Sequence, residues 1–357
     1  MLTLAFEKLH LERIKVSADN RYFIGEHTHR RFTPLGFNYD HDETFRLLED
    51  YWHDEWNKVE TDFADMRALG ANVIRIHLQL GKFLLSPDAL NERELQQLDK
   101  LVYLAQSYGL YLDLVGLGCY HGWDVPDWYN AMDYRNRWAV QAFFWETLAI
   151  RYAGEPAIFC FDLMNEPVVP GRKREAGAWL GAEFAGKTYI QFITLDGTQQ
   201  PNHEVALEWI NCLSSVVRRH DPTRLITVGL VDWSLKNSRI KSGFFPDRIV
   251  HAVDFISAHL YPEQGKPEEM LKKLNGFCVG KPLLIDETFH LKCSIEEEEW
   301  FLREAAKRAQ GFFGFYTASV SPPEDPGERA LWHDTRHRVM HEWISINKKL
   351  APFFKRR

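Results

Sequence analysis

The sequence predicts a closed (β/α)8 barrel of the TIM type. Eight short apolar runs, rich in β-branched and aromatic residues, are spaced along the chain, and segments of helical period lie between them. No glycine-rich phosphate turn follows the first run, so the usual mark of an open doubly wound sheet is missing.

The runs are FTPLGFN near 33–38, NVIRIHL at 72–78, LYLDLVGL at 110–117 and AIFCFDLM at 157–164, then RLITVGL at 224–230, DFISAHL at 254–260, PLLIDE at 282–287 and GFFGFY at 311–316. Residues 55–69 set Val59, Phe63, Met66 and Leu69 on one helical stripe, and residues 92–107 do the same with Leu95, Leu98, Leu101, Val102 and Ala105. Gly70 and Gly109 stand where glycines end helices. Further helices are expected near 135–152, 201–219, 267–275, 295–309 and 336–349, with Ser294 and Glu297 forming a capping box. Only the fifth connection, 231–253, has a poor helical pattern. The chain reads as one domain over 1–357. Residues 1–31 form an N-terminal extension, with a hairpin expected under the barrel, and about 168–200 form an enlarged loop over its mouth.

Composition narrows the function. The 357 residues carry a formal net charge of -7, which does not favour nucleic acid, whose partners usually show a basic face. Aromatic residues make up 14% and tryptophans number 12, more than a core needs, so some are expected on a binding surface. Five cysteines without a CxxC spacing give neither a disulfide framework nor a cysteine zinc site. No apolar stretch is long enough to span a membrane and the first residues do not read as a secretory signal, so a cytoplasmic location is expected.

Chemistry in such a barrel belongs at the C-terminal ends of the strands. The fourth run leads into Asn165-Glu166-Pro167 and the seventh into Asp286-Glu287. Two carboxyls converging on one cleft suit glycosidic cleavage, one protonating the leaving oxygen and the other attacking or activating water. Asn165 could donate to a sugar 2-hydroxyl. Arg75 is a cation inside an apolar strand and requires an anion, a role suited to Glu287. Tyr261 could donate to the same carboxylate, and His259 lies beside it at the sixth strand's end.

With these residues in view, the chain resembles the clan A glycoside hydrolases, most closely the cellulase-like enzymes of family 5. The resemblance runs from about Phe32 to Tyr316 and rests on NVIRI, FCFDLMNEP, SAHLYP and LLIDE. It implies an acid/base role for Glu166, a nucleophilic role for Glu287, retention of anomeric configuration, and supporting roles for Arg75, Asn165, His259 and Tyr261. It implies a carbohydrate substrate and no cofactor or metal. The sequence departs from the family pattern in two places. The histidine expected directly after the third strand's LDL is replaced by Val115-Gly116-Leu117-Gly118, with His121 as its stand-in. The tryptophan expected at the end of the eighth strand is missing, leaving Tyr316, Phe315 or Trp332 for the sugar floor. Trp123 and Trp128, in the loop after the third strand, could stack on pyranose faces.

Other readings compete. A metal-dependent barrel hydrolase could use His27 and His29, but this H-x-H pair precedes the first strand. His337 and His341 stand four apart on the last helix without an HExxH motif. A non-catalytic carbohydrate-binding barrel would have no chemical need for an acid/base. A transglycosylase would use the same glutamates with a sugar acceptor in place of water.

Overall fold

The structure, a computed structural model, describes residues 11–316 and 335–355. Eight parallel strands close into a barrel: β1 (Leu35–Asn38), β2 (Val73–Gln79), β3 (Tyr111–Gly118), β4 (Ile158–Asn165), β5 (Leu225–Val231), β6 (Ile256–His259), β7 (Leu283–Glu287) and β8 (Gly311–Phe315). Each strand pairs with the next in the chain, and β8 pairs with β1 to shut the ring. This is the (β/α)8 TIM barrel the periodicity predicts, and all eight apolar runs became its staves.

Helices wrap the outside: α1 (Trp56–Ala68), α2 (Glu92–Tyr108), α3 (Tyr134–Arg151), α4 (Asn202–His220), α5 (Pro246–Ile249), α6 (Pro267–Phe277), α7 (Ile295–Ala305) and α8 (Thr335–Lys355). Their ends follow local chemistry. Asn91 caps α2 by accepting from the Arg93 amide, and Gly109 closes it at φ 64°. Ser294 and Glu297 form the expected reciprocal box at the start of α7. That helix stops at Ala305, short of the expected 309, because the Gln310 amide must bond the Leu283 carbonyl at 2.7 Å to start β8. The fifth connection holds only the one-turn α5, as its weak pattern suggested.

Below the barrel, residues 14–16, 23–25 and 31–32 form a three-stranded antiparallel sheet, one strand more than the hairpin expected there. Its Phe23 is fully buried and meets Phe159 and Phe255 edge-on at 5.3 and 5.1 Å. It joins Val73, Tyr111, Leu225, Leu284 and Phe313 in an apolar plug at the strands' N-terminal ends. His27 and His29 sit in the turn between the second and third of these strands, away from the mouth.

The loop after β4 arches over the opposite end. Pro167–Val168 pairs with Gln191–Phe192. Thr188 Oγ1 donates to the Cys119 carbonyl at 2.6 Å, Gln191 Nε2 to the Leu117 carbonyl at 2.7 Å, and Lys187 Nζ to the Phe45 carbonyl at 2.7 Å. Among the described residues no helix is long and apolar enough to cross a membrane.

Candidate active site

The C-terminal ends of the strands meet in a cleft of about 400 Å³. Register places the polar side chains: Asn38 pairs with Arg75, Arg75 with Asp113, Asn165 with Gly229, and His259 with Glu287. Gly229 is required here. A Cβ at that position would lie 2.8 Å from His259 Nε2 and 3.1 Å from an Arg75 nitrogen.

Arg75 is fully buried at the centre of the constellation. Its Nη1 donates to Glu287 Oε1 at 2.6 Å and to Asn38 Oδ1 at 2.9 Å. Its Nη2 donates to Asp162 Oδ2 at 2.7 Å and to Asn165 Oδ1 at 3.1 Å. Asp286 and Asp113 approach its Nε at 3.7 and 3.9 Å. Burial pulls the guanidinium pKa down; the charges of Asp286, Asp162, Glu287 and Asp113 outweigh it, raise the pKa well above its ordinary value and hold the group cationic.

Glu287 is the focus of the donors. Its Oε2 accepts the Tyr261 hydroxyl at 2.8 Å and lies 3.3 Å from His259 Nδ1. Burial raises its pKa above the ordinary carboxyl value, with His259 and Arg75 pulling the other way. Burial, then the Glu287 charge, pushes the Tyr261 phenol far up, so it stays a donor.

Glu166 follows β4 with a backbone φ of 47°, a left-handed conformation that costs a non-glycine residue and persists where surroundings enforce it. Its amide donates to the Gly229 carbonyl at 3.1 Å, and its Oε1 lies 2.9 Å from His259 Nδ1. One carboxylate oxygen of each glutamate and a His259 nitrogen lie within 4.8 Å of one another. Burial would lower the His259 pKa; Glu287 and Asp286 reverse this and raise it well above its usual value. The imidazolium therefore bridges the two carboxyls.

The structure brings Arg75, Asn165, Glu166, His259, Tyr261 and Glu287 together, as the sequence reading expects. Of the other named residues, His121, Trp123, Trp128 and Tyr316 lie away from the cleft. His121 turns outward, with Nε2 3.0 Å from Asp50, and stacks on Trp123, which is 77% exposed. Neither lines the cleft. Trp128 packs against the hydrophobic core beside Tyr129. Tyr316 is buried behind the barrel wall, where its hydroxyl meets Asp62 at 3.2 Å, and Phe315 faces the cleft instead. Trp332 lies outside the described residues.

Sequence reasoning missed several lining residues: Asp40, His41, His77, Tyr189 and Phe289. His77 could have been found, since it stands two residues beyond Arg75 and so shares its face of β2. Its Nε2 donates to Asn38 Oδ1 at 3.2 Å and its Nδ1 accepts the Tyr120 hydroxyl. Burial, then the Arg75 charge, keeps the ring neutral.

Comparison with known proteins bears on the family and the fold. The family model described as cellulase (glycosyl hydrolase family 5) matches residues 35–303. A comparison with curated protein sequences gives no match. Among solved structures, the chain is similar to an exo-β-1,4-mannosidase from Opitutaceae bacterium strain TAV5, with TM-score 0.66 and 15% identity. That likeness covers 96% of this chain but only 63% of the mannosidase, so the chain spans less than two thirds of that protein. It is also similar to a family 5 protein from Streptomyces cattleya solved with GlcNAc (TM-score 0.65, 16% identity, 92% of this chain and 81% of that one). A β-mannanase from the blue mussel Mytilus edulis matches at TM-score 0.61 and 15% identity, over 94% of this chain and 97% of that one. At these identities the structural likeness speaks to the fold. The family match spans most of the chain, and the chain belongs to glycosyl hydrolase family 5, the cellulase family.

Proposed function

We propose that the protein hydrolyses β-glycosides with retention of configuration, by double displacement at Glu287 and Glu166. The observation that carries this reading is the approach of their carboxylate oxygens to within 4.8 Å. Retaining enzymes hold the two carboxyls about 5–5.5 Å apart, whereas inverting ones leave about 6.5–9.5 Å for a water between them.

Glu287 is the nucleophile. Arg75, Tyr261 and His259 all present protons to it, an arrangement that favours and orients a carboxylate. An oxygen of Glu287 attacks the anomeric carbon while Glu166 donates its proton to the departing glycosidic oxygen. A glycosyl ester forms on Glu287 as the C–O bond to the aglycone breaks. Glu166, now a carboxylate, takes a proton from water, and that water attacks the anomeric carbon and frees Glu287.

His259 fits both halves of the cycle. Before attack the negative charge sits on Glu287, and in the ester it sits on Glu166. The imidazolium is 3.3 Å from one and 2.9 Å from the other, so the charge moves without leaving its counterion. The Asn165 amide, at the cleft wall beside Glu166, supplies the sugar 2-hydroxyl with a partner.

Because structural neighbours include proteins described as mannosidases and mannanases, β-mannosides lead the substrates to try. The test is a turnover screen over aryl β-glycosides (mannoside, glucoside, galactoside, xyloside, fucoside) and β-linked oligosaccharides, with wild type beside Glu287→Gly. Activity in the wild type that is lost in the variant supports the reading. Equal activity in both sinks it.

A further inference from the structure

The cleft is built in two halves of opposite character. Its inner half holds Asp40, His77, Asn165, Glu166, Tyr261 and Glu287. Its outer half is walled by Phe45, Phe184, Phe289 and Leu291, with Ile190 and two alanines between them, while Phe315 ends β8 in register with Asn38 and belongs with the inner half. Three of these are large apolar side chains left open to water: Phe45 at 43%, Phe184 at 64% and Leu291 at 54% exposure. They come from three separate loops, those after β1, β4 and β7, and converge on one opening. Scattered apolar residues need no explanation on a surface, but several meeting at the rim of a catalytic cleft mark a binding surface.

The rim is held in place. Asp42 Oδ1 accepts from the Thr44 amide, the Thr44 hydroxyl and the Arg46 amide at 2.8–3.0 Å, fixing the turn that presents Phe45. Phe45 itself adopts φ 66° and lies parallel to the His41 ring at 5.2 Å. Buried Lys187 reaches across to the Phe45 carbonyl and ties the β4 loop to the β1 loop. Ala185, beside Phe184, is a second non-glycine left-handed residue at φ 50°. Two such conformations at one rim indicate a shape enforced by its surroundings.

Polar groups are sparse here. Among the described residues, His41 and Lys292 are the charged side chains of the outer lining, and His41 is already engaged by Asp40 at 2.8 Å. A sugar ring could lay its C–H face on one of these aromatic rings, but its hydroxyls would lose water and find few partners among the described lining residues. An apolar group would release water from both surfaces.

We propose that the substrate carries an apolar aglycone, alkyl or aryl, seated on Phe45, Phe184, Phe289 and Leu291, with its sugar in the inner half. This rests on the glycosidase reading above. It makes the enzyme selective for glycosides of apolar alcohols or phenols over β-linked polysaccharide, because the subsite that a chain's next sugar would occupy is a hydrophobic slot.

The test fixes the sugar and varies the aglycone. Methyl, butyl, octyl and 2-naphthyl β-glycosides are compared with the β-1,4-linked disaccharide of the same sugar, all below micelle-forming concentrations. The expected kcat/KM rises at least about tenfold from methyl to octyl, as burial of successive methylenes requires, and the octyl glycoside exceeds the disaccharide. Octyl above naphthyl assigns an alkyl aglycone, and the reverse an aryl one. The octyl-to-methyl ratio should fall at least about fivefold in Phe184→Ser and in Leu291→Ser. A flat series, or a disaccharide that outruns the octyl glycoside, overturns the proposal while leaving the hydrolase reading intact. If no glycoside turns over, the hydrolase reading fails, and calorimetric binding to Glu287→Gln protein then decides the slot. Tighter binding of octyl than methyl glycoside supports it, and equal binding overturns it.

Discussion

Arg75 Nη1 meets Glu287 Oε1 at 2.6 Å, although their strands stand three places apart around the barrel. The contact spans the barrel interior and sits in a buried field of Asp113, Asp162 and Asp286. Taking the cation away would leave these acids without their counterion. Arg75→Met should therefore cost about 3–5 kcal/mol of stability, read by denaturant unfolding, as well as activity. A variant as stable as wild type would show that the acids are neutralised in some other way.

Tyr261 tests the same carboxylate more gently. Its hydroxyl donates to Glu287 Oε2, and Tyr261→Phe removes that one bond. A hydrogen bond to a charged group is worth about 1.5–3 kcal/mol, so kcat/KM should fall roughly 10- to 100-fold without unfolding. A fall below twofold, with the fold intact, would remove Tyr261 from the nucleophile's support.

The pH profile follows from the same group. Glu287 must be ionised to attack, and burial holds its pKa above the ordinary glutamate value of 4.5. Activity is therefore present above the raised pKa and is lost as pH falls through it. The acidic limb of kcat/KM should lie above pH 4.5, and Tyr261→Phe should move it higher still, because one stabiliser of the charged form is gone. An acidic limb at or below 4.5 would contradict this environment for Glu287.

Behind Glu287, the Thr288 hydroxyl lies 2.8 Å from the Leu260 carbonyl and 2.6 Å from Glu298 Oε1. Thr288 has one proton for two acceptors, and both contacts are satisfied when Glu298 is protonated and donates to Thr288. Burial raises the Glu298 pKa to about 7. The folded state thus binds a proton that the unfolded chain releases from about pH 4.5 upward. This contribution to stability is full at low pH and disappears as pH rises through about 7. Glu298→Gln does not titrate, so its melting temperature relative to wild type should climb between pH 5 and pH 8. A difference that stays constant with pH would exclude a protonated Glu298.

Much of the site is legible in the sequence because strand chemistry is restrictive. A cation in NVIRI must find an anion inside the barrel, and the glutamates follow strand ends, where a barrel does its chemistry. The failures have equally physical causes. Tyr316 lies one residue beyond Phe315, and a single step along a strand moves a side chain to the other face; Phe315 looks into the cleft while Tyr316 packs outside against Asp62. His121 and Trp123 follow the third strand but belong to a loop, whose path is set by contacts with Asp50 and Lys82 that no periodicity records. In the acidic run 296–299 the capping box accounts for Glu297 but says nothing of Glu298, which turns inward to Thr288. Asp113, Asp162 and Asp286 are acids inside apolar runs, and the sequence pairs Arg75 with Glu287 alone; only the closed barrel shows that one guanidinium serves all four.

The displaced aromatics carry their own expectation. Trp123 is exposed and outside the cleft lining, so Trp123→Ala should change kcat/KM less than about twofold. Phe315→Ala opens the cleft wall and should lower it more. The reverse order, measured on one aryl glycoside, would mean that the loop after β3 reaches the substrate.

The central claim is that Glu287 forms a bond to the sugar. Its most direct test is trapping with a 2,4-dinitrophenyl 2-deoxy-2-fluoro-β-glycoside of the sugar the enzyme prefers, followed by peptide mapping by mass spectrometry. The account predicts release of one equivalent of dinitrophenolate and a fluoroglycosyl ester on the peptide that carries Glu287. A glycosyl group on Glu166, or on any other residue, would contradict it.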